Sequence, residues 1–208
     1  MDKKNEKIEE LVQQAYKAGA SEVAIVSAKK IVVEDTLAKF CRTPGCENYG
    51  LSKSCPPHVG GPDFFRKQLE NFDQGLFIKI EVPSQILFSS ERLEVFQLLH
   101  EVGAGIEKTA KQMGFARAQA YAGGSCKQIF CDDHPDCRVL SGNGDCRNLQ
   151  SARPSMSGFG IHVARLVETA GWSTGGATPG ILGARNTKSF IKSDTISLSP
   201  IYALVLID

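Results

Sequence analysis

Cys41-x4-Cys46-x8-Cys55-Pro56-Pro57 and Cys126-x4-Cys131-x5-Cys137-x8-Cys146-Arg147 hold all seven cysteines of the chain. Thiolates gathered in this way, in stretches rich in Gly, Pro and polar residues, are the ligands of iron–sulfur clusters and of zinc. Four thiolates complete either a [4Fe-4S] cluster or a tetrahedral zinc site. The second group offers four, Cys126, Cys131, Cys137 and Cys146, at gaps of four, five and eight residues. Zinc sites usually use paired Cys-x2-Cys knuckles, and neither group contains one, so the spacing favours a cluster. The first group offers three, Cys41, Cys46 and Cys55, which leaves one coordination position open. A fourth ligand could come from elsewhere, with His58 nearest. The position could instead hold water, substrate or a small thiol, or the group could be a three-cysteine zinc centre. Proline directly after a ligating cysteine, as at Pro56, stiffens a cluster loop.

Arg147 and Arg153 follow the second group closely. As cofactor-binding residues, their guanidinium groups could donate hydrogen bonds to cluster sulfurs or hold an anionic substrate. His134 lies between Cys131 and Cys137 and is a second candidate imidazole ligand. His100 and His162 fall on helical segments and read as ordinary side chains. Asp132, Asp133, Asp136 and Asp145 lack the alternation of a calcium loop and read as turn formers. A Gly-x-Gly-x-x-Gly after a strand and a phosphate-binding P-loop are both missing. The glycine-rich run Gly175–Gly180 reads as a loop.

The rest of the chain bounds these readings. It has 208 residues, 42% of them hydrophobic and 23% charged, enough for a packed core and consistent with a single domain over residues 1–208. A net charge of +1 without a long basic run argues against nucleic acid and against a membrane surface as partners. The charged start, Met1 to Lys7, lacks the apolar middle of a signal peptide, so a cytoplasmic location with reduced thiols is expected. An odd number of cysteines also disfavours a complete disulfide framework.

Apolar spacing predicts helices over about residues 4–18 and 91–113, a helix opening at Pro62 and another through Val163, Leu166, Val167 and Ala170. Strands are expected over 21–26, 76–82 and 116–121, more weakly over 31–33, and over 202–207, the last central and covered on both faces. The order predicts an α/β or α+β fold: a small mixed sheet of about four strands covered by helices, with cysteine-rich loops at about 41–61 and 123–155. Gly103 and Gly105 are candidate points of close helix packing. Residues 173–195, without a clear period, read as a loop.

Taken together, Cys46-Glu47-Asn48-Tyr49-Gly50, Cys55-Pro56-Pro57, Gly124-Ser125-Cys126, Cys146-Arg147, Arg153-Pro154-Ser155-Met156 and Gly160-Ile161-His162-Val163 form a specific set. The set resembles the predicted metal-binding proteins called domain of unknown function 2284, from about residue 20 onward. The resemblance implies a cysteine-bound metal centre, expected to be iron–sulfur, in an anaerobe, and supplies no reaction. The chain departs from the family pattern in its wider second-group gaps and in having His162 where an acidic residue is usual.

The leading expectation is an iron–sulfur protein that carries one or two [4Fe-4S] clusters and passes electrons to a redox partner protein. A zinc-stabilised interaction module is the alternative from another class. An enzyme that binds substrate at the open position of the three-cysteine group is a third; its mark is a pocket beside Cys41, Cys46 and Cys55 lined by Arg or His.

Overall fold

A computed structural model describes residues 3–173 and 197–208. Helix α1 (Lys3–Lys17) turns Ile8, Leu11, Val12 and Ala15 inward, the i, i+3, i+4, i+7 stripe of an amphipathic helix. Gly19, at φ +109°, lets the chain leave the helix and enter β1 (Glu22–Ser27). Between β1 and β2 (Gln74–Pro83) lie the short helix α2 (Asp35–Lys39), the first cysteine segment and α3 (Gly61–Leu69), which has Pro62 in its first turn. Helix α4 (Arg92–Gln112) leads to β3 (Gln119–Ala122). The second cysteine segment follows; it opens on α5 (Cys126–Phe130) and ends before α6 (Val163–Thr169). Strand β4 (Leu198–Ile207) is last.

The sheet order is β1-β2-β4-β3, and every pairing is antiparallel. The expected four-stranded sheet with helical cover is present, but it is antiparallel and not mixed. The reason is the β2–α4–β3 crossover. It leaves a gap one strand wide, and β4 fills that gap antiparallel to both neighbours, a split βαβ arrangement. Strand β4 is therefore central, as its continuous apolar run predicts, and Ala203 to Ile207 are fully buried.

Strand alternation sends side chains into two cores. On one face Leu76, Ile78, Ile80, Ala203 and Val205 pack under α1 and α4, against Leu11 and Leu99. On the other, Phe77, Tyr121, Leu204 and Leu206 meet Phe65 of α3, Phe159 and Leu166 of α6. Each fully buried Leu or Phe contributes about 2 kcal/mol. A Cβ on Gly103 would sit 3.7 Å from Ala203 and 3.8 Å from Ala120, so small residues on three elements bring α4 close to the sheet. Gly105 faces open space and has no such role.

Two expected strands changed. Ile31–Val33 makes only one bridge, Val33 to Ile161, because a 3-10 turn at Ala28–Lys30 precedes it and α2 follows at once. Strand β3 begins at Gln119 and not at Ala116, since Ala118 N–H closes a turn on Phe115 O at 3.1 Å. Most of the 173–195 loop and the Gly175–Gly180 run lie outside the described residues. Among the described residues no helix is long and apolar enough to cross a membrane.

Candidate metal centre

Cys126 opens α5 and is buried; Cys131 follows the end of that helix, and Cys137 and Cys146 lie on the turns beyond it. All four line one small cavity, together with Ser52 and Arg147. Asn148 Nδ2 donates to Cys131 Sγ at 3.3 Å and to Phe130 O at 3.3 Å, which holds the α5 end against the wall. All seven cysteines are unpaired.

The first cysteine segment takes part in this cavity, which its sequence position does not suggest. Burial acts to raise the Cys137 thiol, but the backbone N–H groups of Lys53, Leu140 and Val139, with Arg147, outweigh it and hold the thiol below its ordinary range. Burial pushes the Cys126 thiol up; the Ser54 and Ser52 hydroxyls oppose that, and neighbouring Cys55 and Cys146 add to it. Ser52 Oγ is itself buried without a partner of ordinary hydrogen-bond geometry. A buried hydroxyl whose polar neighbour is the Cys126 thiol is under-satisfied, so this donor fits a site lined by thiolates or filled by sulfide.

Cys41, Cys46 and Cys55 are also neighbours. The Cys41 thiol is pushed up to about 11, by burial first and then by Cys46 and Cys55. Cys55 is the link between the groups: it faces Cys41 on one side and Cys126 on the other. Asn48 Nδ2 donates to Gln128 Oε1 at 3.4 Å, and Gln128 Nε2 to Glu47 Oε1 at 3.1 Å, so α5 is laced to the first segment. Ser155 N–H donates to Ser54 O at 3.0 Å on the far side. Asn48 and Ser125 belong to the motif set of the sequence; Ser52, Lys53 and Asn148 do not. The only signal for these three was position within the two segments.

The backbones of both candidate histidines bond to cysteine carbonyls, His58 N–H to Cys55 O at 3.0 Å and His134 N–H to Cys131 O at 3.1 Å, while their rings have other neighbours. His58 Nε2 meets Gly50 O at 3.2 Å, and His134 stands beside Asp133. His162 caps α6, where Nδ1 accepts from Arg165 N–H at 3.4 Å. Of the two arginines, Arg147 lines the cavity and reaches Asp136 O at 3.3 Å. Arg153 lies outside the lining. Its Nε donates to Glu107 Oε2 at 2.8 Å, and its Nη1 to Ala152 O at 2.9 Å and Leu149 O at 3.2 Å. Its backbone N–H donates to His100 Nδ1 at 3.0 Å, and His100 Nε2–H donates to Gly123 O at 3.0 Å. Burial, against the Gly123 carbonyl, lowers the His100 pKa to about 4, so this ring is neutral. Arg153 thus braces the end of the second segment against α4.

Among the described residues no three His, Cys, Asp or Glu side chains stand close enough to hold a single metal ion. The four cysteines of the second group nonetheless share the lining of one cavity.

A model of the family described as predicted metal-binding protein (DUF2284) matches residues 24–180, which include both cysteine groups. The chain belongs to this family. Membership in DUF2284 agrees with the resemblance carried by the cysteine motifs, and metal binding is the property the family description supplies. No curated protein and no solved structure matches the chain.

Proposed function

We propose that this DUF2284 protein is an iron–sulfur electron carrier with a [4Fe-4S] cluster held by Cys126, Cys131, Cys137 and Cys146, and a second centre at Cys41, Cys46 and Cys55. The observation that supports it is the cavity walled by four thiols, with the buried Ser52 hydroxyl beside Cys126. A single tetrahedral zinc needs its thiolates about 2.3 Å from one point. The preference for a cluster over zinc rests on the cysteine gaps of four, five and eight, which contain no Cys-x2-Cys knuckle. When bound, such a cluster takes up and releases one electron at a time.

The chain's own groups tune that exchange. N–H groups at Cys137, the Asn148 amide at Cys131 and Arg147 all place positive charge or donors beside sulfur, which favours the reduced, more negative state and raises the potential. Exposed Cys46 puts the three-cysteine group at the surface, where a redox partner protein can reach it. The zinc-stabilised module remains the contrasting reading. For the enzyme reading, a groove begins at the residues that follow Cys41 and Cys55, but no cysteine lines it.

Anaerobic purification tests the proposal. Iron and acid-labile sulfide in equal amounts, a brown colour and a paramagnetic signal on reduction support it. A colourless protein with stoichiometric zinc overturns it.

A further inference from the structure

An open groove of about 740 Å³ lies beside the first cysteine segment. Its charged lining comes from α2, the turn after Cys41 and the start of α3: Asp35, Lys39, Arg42 and Asp63. Tyr49 and the Pro56–Pro57 pair supply a firm, largely apolar wall.

The charges are not matched with one another. Asp35 and Lys39 stand at i and i+4 on α2, the spacing at which a carboxylate and an ammonium normally pair. Here Arg66 of α3 takes the carboxylates instead: Nη2 bonds Asp35 at 2.8 Å and Nη1 bonds Asp63 at 2.7 Å. Arg66 Nη2 also donates to Val33 O at 3.2 Å, which fixes the guanidinium in that role. Lys39 and Arg42, both exposed, are left without an acidic partner among the described residues. Two cations without an acidic partner, in an open groove that Tyr49 and the Pro56–Pro57 pair also line, form a receptor for a small molecule with negative charge.

We propose that this groove binds a small oxyanion-bearing molecule, with two carboxylate or phosphoryl groups shared between Lys39 and Arg42. Arg66 positions the site by keeping Asp35 off Lys39. The site adjoins the residues that flank Cys41 and Cys55, so its occupant sits beside the first cysteine group without touching a sulfur. Binding requires no metal, and its outcome is separate from the iron analysis above.

The test is calorimetric titration of the full chain, as isolated, with inorganic pyrophosphate and with succinate at low ionic strength. Saturable one-site binding of at least one probe is expected, weakening as salt is added. Tighter pyrophosphate identifies a phosphate ligand, and tighter succinate a dicarboxylate. Lys39→Ala with Arg42→Ala should lower the affinity roughly tenfold or more. Arg66→Ala should also weaken binding, by releasing Asp35 to Lys39. Lys17→Ala, at the end of α1, should change nothing. Failure of both probes to saturate, or equal binding by the Lys39/Arg42 double variant and the parent, overturns the proposal.

Discussion

The Cys55 thiol lies 3.4 Å from the Ser125 hydroxyl, across 70 residues of sequence. Ser125 directly precedes Cys126, so this contact ties the end of the first cysteine segment to the start of the second. Ser125→Ala removes the contact within a buried pair. A stability loss of about 1 kcal/mol is expected in denaturant titration. The thiol donates to Ser125 Oγ here; once Cys55 is a thiolate the hydroxyl donates to it, so in the iron-loaded protein the reduction potential should fall when that donor is removed. An unchanged potential would place Ser125 away from any redox centre.

Glu107 and Arg153 form a buried ion pair at 2.8 Å, and the same Glu107 oxygen accepts the Ala120 N–H at 2.8 Å. Breaking a buried pair from one side costs about 3–5 kcal/mol where a charge is stranded; here Lys111 stays on Glu107 Oε1 at 2.6 Å, which brings the cost down to about 1–3 kcal/mol. Arg153→Ala should lose stability on that scale, while Arg153→Lys should recover part of it. Because Arg153 stands outside the cavity lining, iron content per folded chain should stay unchanged in Arg153→Lys.

His100 titrates at about 4 in place of 6.5, with burial as the main cause. The unfolded chain therefore takes up the proton first. Stability from this group is intact above pH 6.5 and is lost as the pH falls toward 4. Between pH 7 and pH 5 the loss is about 2 kcal/mol. Urea titrations at both values should show this extra loss in the parent and not in His100→Gln. Parallel curves for the two proteins would contradict it.

Cys137 and Cys41 are shifted in opposite directions, the first below its ordinary range and the second up to about 11. In freshly prepared metal-free protein at pH 8, iodoacetamide should modify Cys137 faster than Cys41. The excess of thiolate at Cys137 is partly offset by its lower nucleophilicity, which leaves a rate ratio of roughly tenfold. Peptide mass spectrometry reads both sites in one sample. Metal loading should suppress both reactions.

Local spacing carried much of this protein. The stripe from Ile8 to Ala15, the run ending at Ile207 and the grouping of seven cysteines are all visible along the chain, because helix period, strand burial and ligand supply are short-range properties. Tertiary structure alone decided the rest. The place of β4 between β2 and β3 depends on which gap a crossover leaves, and no local pattern encodes that. Ser52 and Lys53 serve the cavity of Cys126 and Cys137 through packing of loops far apart in sequence. Sequence position makes Arg153 a candidate donor to cluster sulfur or an anionic substrate, and only the fold shows that its Nε bonds Glu107, 46 residues away. A charged side chain's role is set by what faces it once the chain is folded, and facing is a long-range property.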